Sequence, residues 1–444
     1  MQGKGWSSEK RHRGFGSVLL TASGLLLALP LVGAAGLQIP SAVPASFSLS
    51  PSVAVVAANR LAAPAVPEMS PLALTSPDAQ AYGYFGGRIA VSGDLAVVGA
   101  FGENVDGHSS AGRAYVFNAT TGALVSTVTS PNEQTQGAFG DSVAISGSVV
   151  VVGAPFENGN CGLNCVSVGR AYTFNATSGK LISTLTIPQP QAFAYFGWSV
   201  AISGNTAVVG AYGQAVGGED FAGQAYTFNA RTGALTHVLT SPNAQLGGEF
   251  GWSVAASGKT VLIGAPDESV DGFQYAGHAY TFSPAAISAT GKVVEVVRTL
   301  ASPNAAEYGA FGQSVAISGK MGVVVAYGEG LEGRTYTFNP GTRALIATIS
   351  GPSGARGFGW SVALSGNVVI VGAPFSTAAH VVQAGHAYKF NATTGKLIGT
   401  FSSPNPQAYG IFGISVGVSG NITAVGADYE TADGYTGSGV AYLF

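Results

Sequence analysis

Six histidines, two cysteines and three Asp-Gly pairs are the first residues with which this chain of 444 residues could do chemistry. The histidines are His12, His108, His237, His278, His380 and His386, and none stands in the H-E-x-x-H or other dense spacing that binds catalytic zinc. His278 and His386 both directly precede Ala-Tyr, where other copies of that word carry Arg113, Arg170 or Gln224. They read as the side chain of a repeated position rather than as catalytic groups. Cys161 and Cys165, in CGLNC, read as a local disulfide of an exported chain, with a free dithiol as the alternative. With no second Cys pair or His partner they do not make a metal site. Asp106-Gly107, Asp271-Gly272 and Asp433-Gly434 could each lend one ligand to a weak cation site, although Asp-Gly is first of all a turn dipeptide. No G-x-S-x-G elbow, Gly-Lys phosphate loop or dinucleotide fingerprint occurs. No catalytic residue, metal or cofactor is assigned, and the chain reads as a non-enzyme. The aromatic residues are different: Trp198, Trp252 and Trp360 each follow Phe-Gly directly, and such rings give large contact area at low entropic cost. They are the candidate ligand-binding residues; the competing reading packs them into the fold.

These residues are positioned by a repeat. Phe-Gly stands at Phe85, Phe139, Phe196, Phe250, Phe311, Phe358 and Phe412, and Ser-Gly follows each seven residues later. Successive copies start 54, 57, 54, 61, 47 and 54 residues apart, so a folded unit sets the period and its loops vary. Within a copy, WSVAIS and NTAVVGA flank a Ser-Gly turn as strands A and B. After a variable loop comes strand C, the word AYTF or a relative of it. An Asn-Gly loop such as NATTG then leads into strand D, which Ser-Pro ends because proline cannot continue a ladder. Glycine is 65 of 444 residues and charged residues only 9%, which suits an all-β chain with many tight turns.

One unit is therefore a four-stranded antiparallel meander, and seven of them predict a seven-bladed β-propeller over 69–444. The last copy ends at Phe444 with strand C, and LALTSPD (Leu72 to Asp78) before the first Phe-Gly matches a strand D ending. An N-terminal strand that completes the last blade would close the ring and leave no unpaired seam.

Residues 1–35 run from a basic stretch through the apolar VLLTASGLLLALPLVG to small residues, the order of a secretory signal. Cleavage near Ala34 or Ala35 is expected; an uncleaved N-terminal anchor is the alternative, and then the only membrane contact. Residues 36–68, rich in Pro, Ala and Ser, read as a spacer. Without the N-terminal segment the chain keeps 15 basic and 21 acidic residues, and no Lys/Arg cluster, so nucleic acid is not an expected partner. The expected localisation is secreted or cell-surface, and the expected state a monomer. Asn118, Asn175, Asn391 and Asn421 lie in N-x-T sequons, the first three on C–D turns and the fourth on an A–B turn. If glycosylated, they would decorate one face of the ring.

The words FG and VVGAP, with LIGAP at Leu262 and IVGAP at Ile370, resemble the FG-GAP repeat, the blade unit of the integrin-α type seven-bladed propeller. The resemblance covers about residues 70–444; blade 5 departs from it, with Val325-Ala326 where Gly-Ala is expected. It implies that the face bearing the B–C and D–A loops meets ligand. The calcium loops of integrin-type blades are not carried over, because the A–B turns here are too short to supply six oxygen ligands. Three readings of function stand. The first is an exported, noncatalytic propeller that binds an extracellular protein or surface component, in adhesion or envelope organisation. The second is a glycan-binding, lectin-like propeller, and the third a polysaccharide-acting enzyme on the same scaffold.

Overall fold

The computed structural model describes residues 71–159, 165–282 and 296–444. The alternation of small and β-branched residues around each Ser-Gly folds as read. In blade 3, strand A (Ser199–Ser203) and strand B (Thr206–Ala211) pair from Ser203↔Thr206 to Ser199↔Gly210 around Gly204, whose φ is +57°. Strand C (Gln224–Asn229) pairs with B, and strand D (Leu235–Thr240) with C across a bulge at Thr227/Phe228. Strand A is longer in blades 1 and 5 (Phe85–Ser92, Phe311–Ser318), because there the Phe rejoins the ladder beyond a bulge.

Seven such four-stranded sheets form among the described residues. Six are A-B-C-D in chain order. The seventh joins Ser415–Ser419, Ile422–Ala427 and Val440–Leu443 to Leu72–Leu74, with Leu72↔Leu443 and Leu74↔Ala441 in register. The N-terminal strand thus supplies the missing strand D and closes the ring. The A strands of neighbouring blades touch all the way round and line the axis.

The apolar cores lie between blades, not within them. The core shared by blades 1 and 2, for example, joins Val97, Val116 and Val128 to Phe139, Val152 and Tyr172. In every blade the Phe of Phe-Gly is fully buried. It packs on the Tyr and Phe of its own strand C, as Phe139 does on Tyr172 and Phe174 at 5.8 Å.

Glycine sets how closely the blades approach. A Cβ on Gly210 of strand B would lie 2.0 Å from the carbonyl oxygen of Gly251, the Phe-Gly glycine of the next blade. Gly99, Gly153, Gly264, Gly372 and Gly426 meet the next blade at 1.9–2.1 Å in the same way. In five blades the Ser two residues after the Phe-Gly glycine also donates to that carbonyl, as Ser199 Oγ does to Gly251 O at 2.8 Å. Blade 5 is the exception read from the sequence. There the Val325 methyl lies where a Cβ on Gly359 of the next blade would clash, at 2.4 Å.

Two predictions follow from the seams. Gly210→Ala should destabilise the ring by about 3 kcal/mol, since backbone rather than a flexible side chain must give way. Gly204→Ala, at positive φ but in open space, should cost roughly 1–2 kcal/mol. Equal losses in urea melts of the two variants would show that the close approach is not a constraint. Deleting residues 71–75 removes the closing strand and the buried Leu74, and should lower the melting temperature of the whole ring as one transition; an unchanged melting temperature would refute closure by this strand.

Candidate functional site

The face where strands A begin and strands B end carries most of the side chains with chemical potential. Immediately after each Phe-Gly stand Gly87, Asp141, Trp198, Trp252, Gln313, Trp360 and Ile414. Because strand A lines the axis, these seven residues ring the mouth of the channel. Trp198, Trp252 and Trp360 are each half-buried. Trp198 bridges blades: its ring lies 5.0 Å from that of Trp252 in blade 4, 4.9 Å from Tyr212 and 6.4 Å from Phe156 of blade 2. Trp252 also meets Tyr212, at 5.0 Å. Trp360 sits apart, against Tyr327 and Phe375 at 6.0 and 5.2 Å. A third cluster, Tyr84 on Phe101 and Tyr429, occupies the boundary of blades 7 and 1. The tryptophans therefore pack edge-on or tilted against rings of their own face and keep part of their surface open.

Charge enters the same mouth beside Gly87. Arg88 Nη2 lies 3.1 Å from Asp141 Oδ1, and Arg88 Nη1 donates to the Gly87 carbonyl at 2.8 Å. Asp428 Oδ2 would be 3.0 Å from a Cβ on Gly87, while its Oδ1 is buried without a hydrogen-bond partner. Burial pushes the Asp428 carboxyl up to about 7 and that of Asp141 up to about 6, against the lowering field of Arg88. In blade 4, burial raises the Asp267 carboxyl to about 6 and holds Glu249 well above the usual range, with the charge of Asp267 adding to the rise. Among the described residues, no group of three His, Cys, Asp or Glu side chains is placed to hold a metal ion.

A second set of acids was not legible in the sequence. Three residues after the Ala that ends strand B stands a buried Glu in five blades: Glu103, Glu157, Glu268, Glu329 and Glu430. Each accepts from the Tyr of its strand C, as from Tyr172 Oη and Tyr442 Oη at 2.5 Å and from Tyr115 Oη at 2.6 Å. In three blades it also accepts from the Ser of the incoming Ser-Pro: Ser76 to Glu103, Ser130 to Glu157 and Ser241 to Glu268. The residue two positions before strand C's Tyr faces the acid. Arg113, Arg170 and Arg334 lie 3.3, 3.2 and 3.8 Å from their Glu, and His278 Nδ1 lies 2.8 Å from Glu268. Where the Glu is replaced, by Gln214 or Ser376, the partner is the uncharged Gln224 or His386, whose pKa burial lowers. His278 thus faces a buried carboxylate of the seam, whereas His386 Nδ1 is buried without a hydrogen-bond partner. Blade 7 has Glu430 with Val440 in the cation's place, and burial raises Glu430 to about 7.

The remaining candidates fall as follows. Asp106-Gly107, Asp271-Gly272 and Asp433-Gly434 each have two positive φ values and close the bridges Val105↔His108, Val270↔Phe273 and Ala432↔Tyr435; they are hairpin turns. Asn118, Asn175 and Asn391 cap the C–D turns, each Oδ1 accepting two backbone N–H groups; Asn229 and Asn339 do the same without a sequon. Asn421 is exposed on an A–B turn. The expected Cys161–Cys165 disulfide falls in part outside the described residues, as do the N-terminal segment and spacer. No helix among the described residues is long and apolar enough to cross a membrane.

The raised carboxyl of Asp428 gives a prediction with a definite sign. A folded pKa above the unfolded value favours folding at low pH, and that contribution is lost as pH rises through about 7. Asp428→Asn, which carries no charge at any pH, should therefore be more stable than the native chain at pH 8. The gain should shrink as pH falls from 8 toward 4. Thermal melts at both pH values check it, and a gain independent of pH would rule out the buried carboxylate as the cause.

Comparison with known proteins agrees with this geometry. Models of the FG-GAP repeat match residues 72–117, 124–174, 181–228, 235–282 and 347–390, together more than half of the chain. Each match runs from a strand D through the next A and B to strand C, one strand out of phase with the sheets, which is the offset that closes the ring. No curated protein matches the chain. Among solved structures, the computationally designed Ika8 protein aligns over 85% of this chain and 99% of its own, at 15% identity and a TM-score of 0.49. Repeat match and ring architecture together place this chain in the FG-GAP repeat family, as a seven-bladed β-propeller.

Proposed function

We propose that this protein is an exported, noncatalytic propeller that binds an extracellular protein or surface component through its B–C and D–A loop face, in adhesion or envelope organisation. FG-GAP propellers are often binding folds and typically noncatalytic. The observation that carries the reading is the set of partly exposed aromatic clusters at the channel mouth, centred on Trp198, Trp252 and Trp360. Rings held by ring neighbours are already ordered before a partner arrives, so docking on them loses little side-chain entropy. The loops around them vary in length and content while the strands do not, the usual arrangement of a binding surface on a rigid scaffold. The opposite face, with its short turns and its sequons, is left to solvent and to any glycans.

Single substitutions of Trp198, Trp252 and Trp360 by Ala test this. The expected outcome is a native circular dichroism spectrum and a loss of binding of labelled full-length protein to cells of the source organism. For the central Trp198 the loss should reach about 2 kcal/mol, roughly thirtyfold in Kd. Unchanged binding in all three folded variants would overturn the assignment, and loss of folding in all three would show the tryptophans to be core.

A further inference from the structure

Four large side chains on the loop face hold a backbone conformation that their residue types resist. Three positions before Phe-Gly, Tyr82, Phe193, Tyr308 and Tyr409 have φ of 58°, 60°, 60° and 63°. Aromatic residues rarely adopt this region, because Cβ crowds the backbone there. The seam between blades requires it. The N–H groups of Tyr82, Phe193, Tyr308 and Tyr409 donate to carbonyls of the preceding blade's B–C loop, those of Thr436, Val166, Gln274 and Val382, at 2.8–3.0 Å. The seam does not require an aromatic ring, however. In blade 4 the position is Gly247, with φ of 69° and the same bond, to Asp220 O at 2.9 Å. Core packing does not require one either, since the four side chains are 54%, 47%, 61% and 59% exposed. Strain kept at exposed positions where glycine would relieve it points to selection for the side chain itself.

The four rings belong to blades 1, 3, 5 and 7, with Gln136, Gly247 and Ala355 at the corresponding places between them. Tyr82 and Phe193 lie 6.3 and 6.2 Å from Tyr84 and Tyr195 at the mouth, but the four rings are spaced from one another by these polar and small residues rather than joined into the contiguous apolar patch that a protein interface uses. The densest part, at the boundary of blades 4 and 5, stacks Tyr308 on Tyr275 with centroids 5.4 Å apart and planes 15° apart, beside the exposed carboxamide of Gln274. Rings flanked by amide and hydroxyl groups match a ligand with apolar C–H faces and hydroxyl edges. The acidic balance of the chain speaks against nucleic acid, whose bases would also stack.

We infer that these four residues bind neutral polysaccharide, each ring stacking on one pyranose face, a repeating display engaging a repeating ligand. The inference rests on the loop face being the binding face and names a surface component for it. Each contact alone is weak; avidity arises because a rigid ring presents four of them to one polymer. Polymers should therefore be retained, and monosaccharides should not compete.

The test is affinity electrophoresis of the full chain in gels containing β-1,3-glucan, galactomannan, hydroxyethyl cellulose or glycol chitin. It compares the native protein with a variant carrying Tyr82→Gly, Phe193→Gly, Tyr308→Gly and Tyr409→Gly. Retention by at least one polymer, about tenfold weaker in the glycine variant with a melting temperature no lower than native, is the expected result. A second variant, Tyr82→Phe with Tyr308→Phe and Tyr409→Phe, should keep retention, because it keeps the rings. No retention by any of the four polymers, unchanged retention in the glycine variant, or a fall in its melting temperature would each overturn the inference. The mouth tryptophan variants separate the two readings. If they lose cell binding while no polymer is retained, the face binds by other chemistry; if neither assay shows binding, the reading of the face fails too.

Discussion

Six of the seven blades press their Phe-Gly against two glycines of the blade before them; at the seam of blades 5 and 6 Val325 takes the place of one of the two. Gly251, for instance, presents its carbonyl oxygen 2.0 Å from where a Cβ of Gly210 would be, and the Phe250 carbonyl stands 2.1 Å from that of Gly223. Backbone meets backbone, so no side chain fits and no rotamer can adjust. This contact explains why the words FG and GA recur together although they lie apart in each copy: one blade supplies the glycine gap and the next supplies the group that fills it. It also explains why the glycine content is high in a protein whose strands would otherwise be weakened by it.

Because the contact is between blades, stability is too. A single meander buries its faces only when flanked on both sides, so the chain must close or leave two sheet faces and an edge open. Closure through Leu72–Leu74 meets that need, and the buried glutamates tie the seams together on the loop face. Glu157 receives Ser130 from the strand leaving blade 1 and Tyr172 from blade 2, so one carboxylate fixes the crossing of the chain between them. In four of the five blades the same repeat position sets an Arg or His against the desolvated carboxylate, and in blade 7, where Val440 stands there, burial raises Glu430 instead.

The ring, its blade count and its closure were legible because they rest on short-range signals: a Ser-Gly turn, a Ser-Pro stop, period-two strands and a constant spacing. The Glu–Tyr–Ser clusters were not, since their members come from three words and are joined only by the folded seam. The recurrence of Glu three residues after the Ala that ends strand B spans five copies, but in a loop of variable sequence it resembles ordinary surface charge. The same holds for Gln80, Gln134, Gln191, Gln245 and Gln407, whose carboxamides grip the backbone 24 residues on. The positive φ of Tyr82 or Tyr308 could not be read at all, because the residue type argues against it. Conversely, the Asn of NATTG looked like a modification signal, and its recurrent structural work is capping a turn.

The two faces of the ring therefore differ in what remains after the fold has been accounted for. On the A–B and C–D side, Ser-Gly turns, Asn caps and the Ser Oγ bonds that link neighbouring A–B turns explain most residues, and what remains is a set of exposed leucines at the start of strand D, such as Leu124 and Leu397. On the other side, glycines, glutamates and glutamines explain the seams, yet they leave a surplus: partly exposed tryptophans, an unpartnered Asp428 oxygen at the mouth, and exposed aromatic rings on strained backbone. None of these is required by closure, and two of the three cost stability. A fold dominated by small residues and tight turns has little reason to keep them on a solvent face except for what they touch there. The asymmetry of that surplus, rather than any single residue, is what supports the proposal that this face binds.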